Sequence, residues 1–174
     1  MTRVLIVDDQ ELFRESLKVV LSVSPSIEVV GAASGVQEAL KSAAACRPDV
    51  VLMDIRMPGM DGVEGTRLFK ERWHSTKIVV LTTFDDDEYV FGALKNGASG
   101  YLLKGSSVSE LSRAIQIVHE GGAMLNPEIA SKAIQQFSSM ARGAATLQVD
   151  QQGEAELSKG EWQVIRTVGR GLSN

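Results

Sequence analysis

Residues 50–62 read VVLMDIRMPGMDG, an apolar run that stops at Asp54 and breaks at once into Pro58 and Gly59. The run has the length and β-branched content of a buried strand. A carboxylate at the tip of such a strand is costly to bury unless something beside it needs the charge. The stretch therefore predicts a strand that delivers an acid to a working surface and a loop that clears room above it.

Working outward, "RVLIVDD" (residues 3–9) and "DVVLMD" (49–54) are continuously apolar rather than alternating. This is expected when helices cover both faces of a parallel sheet. Strands are predicted at 4–7, 27–32, 50–54, 78–82 and 100–103, with helices near 11–22, 35–45, 63–72, 86–96 and 108–120. In the last of these, Val108, Leu111, Ala114, Ile115 and Val118 recur at three- and four-residue steps and form one apolar face. Regular alternation of strand and helix predicts a doubly wound α/β domain. At this length and spacing we expect a flavodoxin-like, five-stranded parallel sheet in the order 2-1-3-4-5.

Composition narrows the function. The 174 residues are 44% hydrophobic, 23% charged and 5% aromatic, which suits a core of Val, Leu, Ile and Ala. A net charge of −4 supplies no general attraction to nucleic acid or to an anionic membrane. The single cysteine, Cys46, excludes an internal disulfide and reads as a small packing residue. No apolar run reaches spanning length, and residues 1–7 do not form a signal segment, so a cytoplasmic protein without membrane contact is expected.

After Gly121-Gly122 the pattern changes. Residues 121–156 read as a linker holding one helix at about 127–140, with Asn126 as N-cap, Pro127 at the first turn and an apolar face through Ile129, Ala133, Ile134 and Phe137. Residues 142–156 are small, polar and turn-rich, and a new helical pattern starts at 157–158 and stops at Asn174, too short for a core of its own.

In an open α/β sheet, ligands bind outside the carboxyl ends of the strands. Four features converge there: Asp8-Asp9 after strand one, Asp54 at the end of strand three, Thr82-Thr83 after strand four, and strand five running through Tyr101 to Lys104. Three carboxylates in one crevice repel each other, and a hard divalent cation resolves this. Lys104 adds a compact positive charge suited to a phosphoryl oxygen, and Thr82 a hydroxyl donor. An aspartate can itself be the nucleophile. The residues thus point to phosphoryl transfer onto Asp54, with Mg²⁺ held by Asp8, Asp9, Asp54 and the backbone carbonyl of Arg56.

"VLIVDDQ", "VLMDIRMPGMDG", "VVLTT" and "GASGYLLK" resemble, in order and spacing, the motifs of the receiver domain of two-component response regulators, over residues 1 to about 120. The resemblance implies Asp54 as phosphoacceptor, Asp8 and Asp9 as the acidic pair, Thr82 as switch hydroxyl with Tyr101 as its aromatic partner, and Lys104 as the phosphoryl-binding lysine. It also implies a sensor histidine kinase as phosphodonor and a homodimer formed on phosphorylation. One position departs: Gly105 stands where many receivers have a proline joined to the lysine by a cis bond.

"LSKGEWQVIRTVGRGLSN" (157–174) is similar to the opening of the LuxR-type helix-turn-helix of the NarL/FixJ subfamily through Leu157, Ser158, Glu161, Val164, Gly171, Ser173 and Asn174. This implies promoter DNA as the target of the full-length protein. The recognition helix should follow Asn174, so this chain is expected not to read DNA sequence itself. Two other readings compete. One is a receiver working only through protein contacts. The other is a Mg²⁺-dependent phosphatase with an aspartate nucleophile, which would carry it on strand one in a D-x-D pattern, whereas here strand one ends in adjacent acids.

Overall fold

The computed structural model describes residues 1–83, 87–125, 127, 129–135 and 138–139. The chain divides into two compact units, residues 1–134 and 135–174, of which the first holds the sheet. Its elements are β1 (Thr2–Val7), α1 (Glu11–Ser22), β2 (Ile27–Ala33), α2 (Val36–Cys46), β3 (Val50–Asp54), α3 (Gly62–Arg72), β4 (Lys77–Thr82), α4 (Asp87–Lys95), β5 (Gly100–Leu103), α5 (Val108–His119) and β6 (Met124–Leu125).

The strands pair in parallel in the order β2-β1-β3-β4-β5-β6. The flavodoxin-like class and the order of the first five strands are as expected, but the count of five is corrected to six. The extra strand is two residues long, pairing Gly100 with Met124 and Tyr101 with Leu125. Two residues carry no periodicity for a sequence pattern to register.

Alternation of side chains distributes the buried strands between two cores. Val4, Ile6, Val50, Leu52, Val79, Leu81 and Leu102 point to one face, where Leu17 and Leu21 of α1 and Leu111, Ile115 and Val118 of α5 cover them. Leu5, Val7, Val51, Met53, Ile78, Val80 and Tyr101 point to the other, with Val36, Ala39 and Leu40 of α2, Phe69 of α3 and Val90 and Ala93 of α4. Ile129, beyond β6, is fully buried in this second core, whereas Ile134 is exposed. The expected N-cap Asn126 and apolar Phe137, and all calls on 142–174, lie outside the described residues.

Among the described residues no helix is long and apolar enough to cross a membrane. None of their peptide bonds is cis, Lys104–Gly105 included.

Candidate functional site at the strand tips

The parallel register brings the chemistry to one end of the sheet. Val7 pairs with Met53, and Asp54 pairs with Leu81, so Asp8, Asp54 and Thr82 emerge at neighbouring strand tips. The backbone N–H of Lys104 donates to the Thr82 carbonyl at 2.7 Å, carrying the β4–β5 ladder one step past the strands.

A close approach fixes Asp54 from behind. The α3 helix begins directly against the end of β3, with the Gly62 N–H donating to the Ile55 carbonyl at 2.8 Å. A Cβ on Gly62 would lie 2.1 Å from the Asp54 carbonyl oxygen, so only glycine fits. Gly59 turns the preceding loop at φ +82°, and the Asp61 side chain caps α3 by accepting from the Glu64 N–H at 2.9 Å. The break after Asp54 is a set of local constraints that holds the acid at the crevice.

Asp8 and Asp54 are almost fully buried, and one ligand oxygen from each of Asp8, Asp9 and Asp54 lies within 4.8 Å of the others. Asp8 Oδ1 accepts the Gln10 N–H at 2.9 Å, and the Asp8 carbonyl accepts from the Arg14 guanidinium at 2.5 Å. Lys104 Nζ donates to Asp54 Oδ2 at 3.0 Å and forms an ion pair with Asp8 Oδ2 at 2.8 Å, at an angle outside hydrogen-bond geometry. Asp9 Oδ1 is a buried oxygen that accepts no hydrogen bond.

Electrostatics follow this crowding. Burial pushes the Asp54 carboxyl above the ordinary carboxylate range; Lys104 opposes the rise and the Asp8 charge adds to it. Burial pulls the Lys104 ammonium down, but the close contacts and charges of Asp8 and Asp54 outweigh it and hold the group above the ordinary lysine value. The crevice sets three carboxylates against one ammonium, a charge pattern suited to a cation.

The remaining residues singled out from sequence divide. Thr82 is buried at the tip of β4. Tyr101 is fully buried in the core shared with α3 and α4, three residues before Lys104. Arg56 donates its backbone N–H to the Asp54 carboxylate, while its exposed side chain reaches over the Tyr89 ring of α4, 5.3 Å from the centroid. Four supporting residues escaped the sequence reading. Arg14 carried no visible signal. Ser107 and Glu110, which form a capping box at the start of α5 just after Lys104, carried the S-x-x-E pattern. Phe13 sits against Lys104 with its ring centroid 4.8 Å from Nζ.

Residues 4–116 match the response regulator receiver domain. The chain belongs to that family. Its similarity to the transcriptional regulatory protein LnrK of Bacillus subtilis (strain 168) is 37% identity over 175 residues, covering 100% of this chain and 80% of that protein. LiaR, a transcriptional regulatory protein of the same strain, is 35% identical and matches 100% of this chain and 79% of its own length. Among solved structures, a LuxR-family two-component response regulator from Aurantimonas sp. SI85-9A1 aligns at TM-score 0.73 and 30% identity, over 79% of this chain and 99% of that one. The receiver domain of NarL from Mycobacterium tuberculosis aligns at 0.66 and 38% identity, over 69% and 97%. This receiver domain is thus that of a two-component response regulator of the LuxR/NarL type, whose relatives are named as transcriptional regulators.

Proposed function

We propose that Asp54 accepts a phosphoryl group from a sensor histidine kinase, and that Asp8, Asp9, Asp54 and the Arg56 carbonyl hold Mg²⁺ for this step. The observation that carries the reading is the buried crevice in which Lys104 bridges Asp8 and Asp54 while Asp9 Oδ1 is left without a hydrogen bond. An all-oxygen set of clustered carboxylates fits a hard divalent cation. When bound, Mg²⁺ would offset the acids' mutual repulsion and a phosphoryl group's negative charge.

In the transfer, an Asp54 carboxylate oxygen forms the new P–O bond as the P–N bond of the donor phosphohistidine breaks and the imidazole leaves. Lys104 exchanges its hydrogen bond to Asp54 for one to a phosphoryl oxygen. Thr82 donates its hydroxyl to another phosphoryl oxygen, and the Tyr101 ring follows the change at the tip of β4. The protein's own chemistry is limited to this transfer and to slow hydrolysis of the acyl phosphate, in which water takes the phosphoryl group as inorganic phosphate and the Asp54 carboxylate is regenerated.

The domain reading supports an output: residues 1–120 as receiver, 121–156 as linker, and a LuxR-type segment from 157. Phosphorylation then promotes a homodimer and promoter binding by the full-length protein, in the cytoplasm. The direct test incubates the chain with an acyl phosphate donor. One phosphoryl group per chain is expected with Mg²⁺ and none after chelation; equal labelling after chelation would contradict the role of the metal.

A further inference from the structure

The α1 helix places Phe13, Leu17 and Leu21 at four-residue steps on the stripe that faces the sheet. Phe13 is the first of these, at the end of the stripe nearest the strand tips. Its ring packs against the Lys104 ammonium, 4.8 Å from centroid to Nζ. The ammonium thus meets three groups: Asp8 Oδ2 at 2.8 Å, Asp54 Oδ2 at 3.0 Å and the face of the ring. The Lys104 side chain is only 6% exposed, so water contributes little to holding it.

Both carboxylates are groups whose partners must change in the reaction. Asp54 would become an acyl phosphate, a mixed anhydride, and Asp8 is one of the residues that would hold the cation. The ring is the one member of the trio that keeps its chemistry throughout. Open space lies beside it, since a cavity of about 150 Å³ between α1 and α5 is bordered by Phe13, Leu81, Leu103, Lys104, Ser106 and Leu111. A lysine is a point charge on a flexible four-carbon stem, and once released by Asp54 it has room to move away from the crevice. An aromatic face attracts the ammonium without using any of its N–H donors, which remain available to a phosphoryl oxygen.

We propose that Phe13 is a positioning residue for phosphoryl transfer: its ring holds the Lys104 ammonium at the crevice by a cation–π contact while the lysine changes partners from carboxylate to phosphoryl oxygen. The inference rests on the reading of Lys104 as the phosphoryl-binding lysine.

The test replaces Phe13 in the whole chain by mono-, di- and trifluorophenylalanine, which keep the ring's shape while draining its negative face. Phosphorylation by acetyl phosphate in Mg²⁺ and thermal melting are measured in parallel, with Phe13→Leu, Phe13→Trp and Lys104→Ala alongside. The rate is expected to fall stepwise with each fluorine at unchanged melting temperature. Phe13→Leu should lose about three- to thirty-fold, and Phe13→Trp should restore most of it. A flat fluorine series overturns the proposal, including the case in which Phe13→Leu alone is slow, because the ring then only fills space. A flat series with a slow Lys104→Ala leaves the lysine's role standing and removes only that of Phe13. An unimpaired Lys104→Ala overturns the reading of the lysine, and the inference with it.

Discussion

The two ends of the sheet treat their acids in opposite ways. At the amino end, Asp49 Oδ2 accepts the Arg3 N–H at 2.8 Å, and the Asp49 N–H donates back to the Arg3 carbonyl at 2.9 Å. Nearby, Thr76 Oγ1 donates to the Pro48 carbonyl at 3.1 Å, and Lys70 Nζ to the Thr76 carbonyl at 2.7 Å. Each side chain there is answered by a main-chain group of fixed position. At the carboxyl end, three carboxylates cluster around one ammonium that pairs with two of them, and two buried carboxylate oxygens, Asp8 Oδ2 and Asp9 Oδ1, accept no hydrogen bond. One end joins strands to loops; the other holds unspent charge that a ligand can use.

Substitutions at the two ends should therefore separate stability from chemistry. The largest effect is expected for Gly62→Ala, which drives a Cβ into the Asp54 carbonyl. A loss of about 3 kcal/mol or more is expected by chemical denaturation, together with loss of phosphorylation. A Gly62→Ala protein of native stability would break the claim that this close approach fixes Asp54.

Mg²⁺ should stabilise the chain through the carboxyl end alone. At a hundred-fold excess over Kd the gain is about 2.7 kcal/mol, or on the order of 5–10 °C in melting temperature. The shift should vanish in Asp9→Asn and survive in Asp49→Ala. Its persistence in Asp9→Asn would place the cation elsewhere.

The acids also set a pH dependence. Because burial raises Asp54 in the folded state, that state binds its proton more tightly than the unfolded chain does. Its contribution to stability is present below the ordinary carboxyl value of 3.8 and is lost as pH rises through the raised folded value. Without Mg²⁺, melting curves of Asp54→Asn should show a smaller decline from pH 4 toward neutrality than those of the native chain. An equal or steeper decline would show that Asp54 does not carry the penalty.

The smallest effects belong to the satisfied groups. Asp49→Ala and Ser107→Ala should each cost about 1 kcal/mol, the first by removing an acceptor and the second by opening the α5 capping box. Phosphorylation rates should stay near native in both. A large loss of rate in Asp49→Ala would erase the distinction between the two ends.

Much of this was legible from the residues. Buried strands are continuous apolar runs, so the acids and hydroxyl that end them stand out, and parallel pairing then gathers Asp8, Asp54, Thr82 and Lys104 in one place. What was not legible depended on contacts between distant segments. Gly62 reads from sequence, with Pro58, only as part of the loop that follows Asp54, and the close approach that requires glycine appears only when α3 meets β3. Phe13 on an amphipathic helix looks like any core residue until β5 brings Lys104 beneath it. The β6 strand is too short to show a period, and Ile129 reads as the apolar face of a linker helix although it is buried in the core with Tyr101.

The central claim is that the unspent charge at the strand tips makes Asp54 the phosphoacceptor. Borohydride reduction of the acyl-phosphate-treated chain, followed by peptide mass spectrometry, tests it most directly by converting a phosphorylated aspartate to homoserine. The account predicts homoserine at position 54 alone, and none without the donor. Homoserine at position 8 or 9, with position 54 unmodified, would contradict it.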